Sequence, residues 1–314
     1  MVNEILEKRR IGSTDVFVTE LGMGGAPLGR VSPENASESL RESFNQGIRY
    51  FDTAPLYGTG TSEKFFGKFL SKLDRQSFVL STKVGRLIKD TGNEVNITFN
   101  YKRDEILRSI EESLKRLDMD SIDIALIHDP DDHYDLALNE AFPTLDKLRS
   151  EGVIKAIGAG MNQWEMLADF ARNADFDCFL VAGRYTLLDH TALNELMPLC
   201  LERGISLILG GPYNSGVLAS DLGSDTTYFY DPAPKSIIDR AKKIKEICDI
   251  FDVPLKAAAI QFGLLHPSVA STIPGPRNSD EVQDNIEMLN VKIPSELWKE
   301  LKRQDLIHQS CPES

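Results

Sequence analysis

Asp52, Tyr57, Lys83 and His128 are the side chains whose types and order could carry chemistry in this chain. A phenol has an ordinary pKa of about 10 and is a poor base at neutral pH. A neighbouring ammonium stabilises the phenolate, and each unit of lowering corresponds to about 1.36 kcal/mol of preferential interaction. Lys83 can supply that charge, and Asp52 can hold the ammonium in place and protonated. His128 can hydrogen-bond a substrate oxygen and orient it toward Tyr57. Such a set moves a proton at an alcohol or carbonyl and contains no nucleophilic serine or cysteine and no metal cluster. Each residue alone has a plainer reading: a cap, a packing ring, a lysine reaching for water, a rim histidine. Their weight comes from arriving together at the ends of adjacent strands.

The elements that must position them follow a rhythm. Residues 47–62, GIRYFDTAPLYGTGTS, read as a strand ending in Asp52, a glycine loop carrying Tyr57, and a helix opening at Ser62 and Glu63. That is one βα step of a barrel, with its polar residues at the strand's C-terminal end, where barrel sites lie. β-rich runs recur at Val18–Gly22, Ile48–Thr53, Phe78–Val84, Ile122–His128, Ile154–Gly158, Cys178–Val181, Ser206–Leu209 and Ala270–Ile273. Helical patterns alternate with them, including Arg103–Leu117, Leu138–Arg149, Trp164–Arg172, Thr191–Arg203, Ser236–Phe251, Lys256–Leu265 and Ser279–Leu289. Strands alternating with helices imply parallel pairing and right-handed crossovers. The expected fold is a (β/α)8 TIM barrel in a single domain, residues 1–314. Residues 8–19 form an N-terminal hairpin cap, and a C-terminal helix starts at Pro294-Ser295. The segment 212–235 is too long for a plain connector and reads as a functional loop over the barrel mouth.

Composition narrows the function. A formal net charge of -13 with no long basic run argues against nucleic acid and anionic membranes as partners. No apolar run reaches the roughly 20 residues of a spanning helix, and the N-terminus lacks a signal-peptide pattern. Cys178, Cys200, Cys248 and Cys311 are scattered, which suits reduced thiols in a cytoplasmic protein.

At this point the residues resemble a known family. Asp52, Tyr57, Lys83 and His128 are similar to the catalytic tetrad of the aldo-keto reductases. FDTAPLYGTGTSEKFFGKFL resembles that family's first signature, and IPGPRNSDEVQDNI its cofactor-binding C-terminal segment. LVAGRYTLLDH and LILGGPYNSGVLAS resemble the bacterial D-threo-aldose (L-fucose) 1-dehydrogenase branch. The resemblance spans nearly the whole chain. It implies a nicotinamide cofactor laid across the barrel mouth and oxidation of the C1 hydroxyl of an aldose, with the reverse reduction available. It places Gly25, Ala26, Asp52 and Asn162 near the nicotinamide, and Pro212, Ser215, Gly216 and Leu218 around the pyrophosphate. Gly275, Arg277, Glu281 and Asn285 fall at the adenosine half.

Three departures from the family pattern stand out. Ala182 replaces a strand-six glutamine, and Gly210 and Gly211 replace a strand-seven tyrosine that stacks on the ring, leaving Tyr213 or Tyr185 as substitutes. Glu281 stands where NADP-specific members carry a base, favouring NAD over NADP, while Arg277 pulls the other way. Three other functions fit parts of the pattern: a Schiff-base aldolase using Lys83, a general aldehyde reductase, and a non-catalytic NAD(P)-sensing regulatory subunit.

Overall fold

The computed structural model describes residues 6–90, 95–223, 226–229 and 231–313. Strands β1 (Met23–Gly24), β2 (Tyr50–Asp52), β3 (Val79–Val84), β4 (Ile124–His128), β5 (Ala156–Met161), β6 (Cys178–Ala182), β7 (Ser206–Gly210) and β8 (Val269–Ile273) pair in parallel, each with its neighbour in sequence. The cylinder closes where Leu21 bridges Thr272 and the Gly22 and Gly24 amides donate to Thr272 and Pro274 carbonyls, each at 2.9 Å. It is the expected (β/α)8 barrel.

Period-two alternation sorts the strand residues onto two faces. Tyr50, Ile124, Leu126, Ala156, Cys178, Leu180, Ile208 and Ala270 fill the interior, and the hairpin's Ile11, Val16 and Val18 plug its floor. Phe51, Leu80, Ile127, Ile157, Phe179, Val181, Leu207 and Leu209 face outward against the helices. The same alternation puts Asp52, Ser81 and Lys83 inside, toward the C-terminal rim.

Several boundaries differ from the sequence expectation. The run Val18–Gly22 is not one barrel strand. Phe17–Thr19 pairs with Lys8–Arg10 in the hairpin, and β1 begins only at Met23. The Thr19 hydroxyl donates to the Leu21 carbonyl at 2.7 Å, fixing the bend between the two. Pro27 opens a short 3-10 turn, Pro27–Arg30, at the position where its missing N–H costs nothing. β5 lies two to three residues beyond the expected Ile154–Gly158. The segment after β3 contains an antiparallel hairpin, Arg86–Asp90 with Val95–Phe99, which periodicity did not suggest. Residues 134–141 form an α turn and a π turn ahead of the Phe142–Ser150 helix. The Ser279–Leu289 helix has the expected bounds, and the terminal helix runs Ser295–Arg303. All four cysteines are free and buried, and no helix among the described residues is long and apolar enough to cross a membrane.

Candidate active site

The site begins with a polar chain inside an otherwise apolar barrel. The Ser81 hydroxyl donates to Asp52 Oδ1 at 2.7 Å and lies 3.1 Å from the Tyr50 hydroxyl. Lys83 Nζ donates to Asp52 Oδ2 at 2.7 Å and to the Thr53 carbonyl at 2.8 Å. Lys83 and Asp52 are each 1 % exposed, so the ion pair is sealed from solvent. Tyr50 and Ser81 escaped the sequence reading. The signal for them was their alternation with Asp52 and Lys83 on one strand face.

Tyr57 reaches this pair from the loop after β2. Lys83 Nζ lies 4.8 Å from the centre of its ring. The Tyr57 and His128 rings meet edge to face, with centroids 6.0 Å apart. The four residues therefore converge at one end of the barrel. Burial is the largest influence on Lys83 and pulls its pKa down, but the Asp52 carboxylate and Tyr57 outweigh it, and the ammonium holds its proton more firmly than an ordinary lysine. For Tyr57 the balance differs from the sequence expectation. Burial pushes the phenol up, and the Lys83 charge opposes that push without overcoming it, so the resting side chain is a protonated phenol. His128 is held well below its ordinary value by burial and by the Lys83 and Arg86 charges, so it is a neutral imidazole.

A further group lies beside His128. Asp129, at φ 42°, carries its carboxylate to 3.5 Å from His128 Nε2 and ion-pairs with Arg86. The Tyr101 hydroxyl sits 2.7 Å from the His128 carbonyl and 2.9 Å from that of Asp129, pinning both. Gly85, at φ +95°, makes room for that ring, because a side chain there would come within 2.1 Å of it.

The residues implied for the cofactor lie on the segments that follow β1, β5, β7 and β8. Gly25 donates to the Asp52 carbonyl at 2.7 Å, and Ala26 follows it, exposed. Gly25 has a packing reason to be glycine: a Cβ would lie 2.5 Å from the Phe66 ring. Gly275 is likewise demanded by Pro27, 2.6 Å from its hypothetical Cβ. Asn162 follows β5, and its carbonyl accepts from Arg184 Nε at 3.2 Å. Pro212 and Leu218 are buried, while Ser215 is exposed. Asn214, Ser215 and Gly216 all have positive φ (48°, 57° and 101°). Space is open over Gly211 and Gly216, where a Cβ would meet nothing within 4 Å. Both amide atoms of buried Asn214 lack partners. These features fit the passage of a dinucleotide.

Asn285 is 4 % exposed, and its Oδ1 accepts from the Tyr213 hydroxyl at 2.7 Å, tying the loop to the Ser279–Leu289 helix. Tyr213 is thus committed away from the tetrad, and Tyr185 is buried against Phe262 and His266. Ala182 and Gly210 are register partners, and a Cβ on Gly160 would lie 3.6 Å from Lys83 Cε. Arg277 is engaged by Glu281 through Nε at 2.9 Å and Nη2 at 2.6 Å.

Two other features are structural. Glu63, fully buried, accepts from Thr82 at 2.7 Å and from Arg116 at 2.6 Å, locking its helix to β3 and to the Arg103–Leu117 helix. A groove of about 810 Å³ lined by Ser13, Arg149, Lys155, Asp175, Asp177 and Arg203 contains none of the four central residues, and its cations are paired with carboxylates. No group of three or more metal-ligating side chains occurs among the described residues.

The chain is also similar to known proteins. Residues 20–305 match the aldo/keto reductase family. The chain is 41% identical to D-threo-aldose 1-dehydrogenase of Pseudomonas sp, over 92% of this chain and 95% of that protein. It is 38% identical to pyridoxal 4-dehydrogenase of Microbacterium luteolum, over 96% and 98%. The holo form of aldo-keto reductase AKR11C1 from Bacillus halodurans superposes with a TM-score of 0.82 at 27% identity, covering 98% of this chain and 99% of that one. By sequence, fold and the matched span, the chain belongs to the aldo/keto reductase family of oxidoreductases.

Proposed function

We propose that the chain oxidises the C1 hydroxyl of a cyclic aldose to the aldonolactone, with NAD as the favoured cofactor, and runs the reverse carbonyl reduction when product is supplied. The observation that carries this reading is the sealed Asp52–Lys83 pair set against the Tyr57 ring, with neutral His128 across from it. The nicotinamide, when bound, supplies the hydride acceptor. For oxidation the Tyr57 phenol first gives its proton to solvent; the phenolate, which the Lys83 charge stabilises, then takes the C1 hydroxyl proton as the hydride leaves C1 for the nicotinamide, and the C1–O bond becomes the lactone carbonyl. Lys83 stabilises the Tyr57 phenolate, which is consumed in oxidation and formed in the reverse reduction, Asp52 keeps Lys83 charged, and His128 orients the reacting oxygen. The 41% identical aldose dehydrogenase supports an aldose substrate.

Residues Gly25, Ala26, Asn162, Pro212, Ser215, Gly216, Leu218, Gly275, Arg277, Glu281 and Asn285 form the proposed cofactor surface. The Arg277–Glu281 pair supports NAD, because a 2′-phosphate would have to break it and face the carboxylate. A Schiff-base role for Lys83 is disfavoured, since that chemistry needs a neutral amine and Asp52 holds this one protonated. The test is a panel of aldoses and simple aldehydes with both cofactors, followed by absorbance of the reduced nicotinamide. Lactone-forming oxidation of at least one aldose with NAD is expected. Turnover of aldehydes alone would make the chain a general aldehyde reductase. Cofactor binding with no turnover would point to a sensing subunit.

A further inference from the structure

Beside the four central residues lies a charged pair that the proton transfer does not use. Arg86 opens the hairpin after β3, and Asp129 follows His128 at the end of β4. Their side chains are 21% and 24% exposed, so the pair faces the mouth and is neither sealed in the core nor free in solvent. Four contacts hold it still. The guanidinium lies 5.0 Å from the centre of the Phe99 ring on the paired hairpin strand. The Tyr101 hydroxyl fixes the backbone carbonyl of Asp129, the Asp129 amide donates to the Gly160 carbonyl at 3.0 Å, and Asn100 closes the base of the hairpin on Gly85 at 2.8 Å. The pair is also incomplete. Arg86 Nε and His128 Nδ1 are buried without partners, and the Asp129 carboxylate stands 3.5 Å from His128 Nε2. Asp129 holds a left-handed backbone conformation, and strain of that kind concentrates where a side chain must be aimed.

We propose that Arg86 and Asp129 are the hydroxyl-recognition element of the substrate site, selecting a polyhydroxylated ring over a simple aldehyde. The proposal rests on the reading of Tyr57 and His128 as the reaction centre. An oxygen on C1 held by His128 has a neighbouring ring hydroxyl only one carbon away. The carboxylate next to the imidazole is placed to accept from that hydroxyl, and the guanidinium to donate to the next oxygen. A substrate without hydroxyls must instead cover a charged pair and leave its donors and acceptors unmet, which a site built for hydrogen bonds penalises heavily.

The test compares Asp129→Asn and Arg86→Gln with the wild-type chain in two assays. The first measures kcat/KM for an aldose of the panel and for 4-nitrobenzaldehyde. The ratio of the two is expected to fall about tenfold to a hundredfold in each variant, the range for losing a hydrogen bond to a charged group, and to do so mainly through KM for the aldose. The second measures binding of 1,5-anhydro analogues of the hexoses to the NADH-loaded protein by calorimetry. These keep the ring hydroxyls and lack the reacting one, so this readout does not depend on turnover. Each variant should weaken that binding by a similar factor. Equal losses for the aldose and the aldehyde, or unchanged analogue binding in both variants, would overturn the proposal and reduce the pair to a support for His128. If the wild type turns over no aldose yet binds the analogues through these two residues, the reading of its reaction fails while the recognition element stands.

Discussion

Lys83 holds its ammonium 4.8 Å from the centre of the Tyr57 ring while donating to Asp52 and to the Thr53 carbonyl. Two acceptors fix the cation, and its charge faces the phenol at close range in a water-poor setting. That one relationship explains why a residue as costly to bury as lysine sits inside a barrel. Its desolvation is offset only because Asp52 is equally buried and Ser81 satisfies the second carboxylate oxygen.

Removing Asp52 should therefore strand the cation. In Asp52→Asn, burial would dominate Lys83 and drive it toward the neutral amine. Breaking a buried pair in this way costs about 3–5 kcal/mol. Denaturant unfolding should show a lower midpoint, and turnover should fall because the charge beside Tyr57 is gone. A variant of unchanged stability would mean that the pair is more hydrated than its 1 % exposures indicate.

The cofactor preference makes a separate prediction. Glu281→Gln removes the carboxylate that occupies Arg277 and frees a guanidinium for a 2′-phosphate. The ratio of kcat/KM with NADP to that with NAD should rise about tenfold, equivalent to about 1.4 kcal/mol. No change in that ratio would remove Arg277 from the adenosine end of the site.

Glu63 should matter for folding and not for chemistry. It is fully buried, and truncation to alanine leaves Thr82 and Arg116 without their acceptor. A loss of about 3 kcal/mol in denaturant unfolding is expected. Loss of activity with the fold intact would contradict this assignment.

Buried histidines predict an acid-side loss of stability. Burial holds His128 well below 6.5 and brings His266 down to about 4, so both are neutral when folded. Each takes up a proton on unfolding once the pH drops below its unfolded value. Their contribution is complete above about pH 6.5 and is lost as the pH falls toward the folded values. The slope is about 1.36 kcal/mol per pH unit for each proton taken up. Asp129 and Asp177, raised chiefly by burial, work in the opposite sense at lower pH, so the clean window lies near neutrality. Denaturant midpoints that stay flat from pH 7 to about pH 5.5 would contradict the neutral, buried state of these rings.

Much of this was legible in the sequence. The barrel followed from the alternation of β-rich and helical runs, and Asp52, Lys83 and His128 stood at or near the ends of three of those β-rich runs. What was hidden depended on long-range packing. The split between hairpin and β1 turns on the Thr19 hydroxyl, which has no pattern signature. The Arg86–Phe99 hairpin alternates too weakly to stand out and is fixed at its base by Gly85 and Tyr101. The net direction for Tyr57 could not be read either, because the Lys83 charge is visible in the sequence and the depth of burial opposing it is not. Tyr213 and Tyr185 show the same limit: both are near the right place in sequence, yet one is tied to Asn285 and the other is sunk among Phe262 and His266.

The most direct test is turnover of Tyr57→Phe, measured beside its affinity for NADH by fluorescence. The substitution removes one hydroxyl and keeps the ring against Lys83 and His128. With cofactor affinity and unfolding midpoint close to wild type, kcat should fall by about a hundredfold to ten-thousandfold, the usual contribution of a positioned acid–base group. Near-normal turnover in that folded, cofactor-binding variant would contradict the role given to Tyr57.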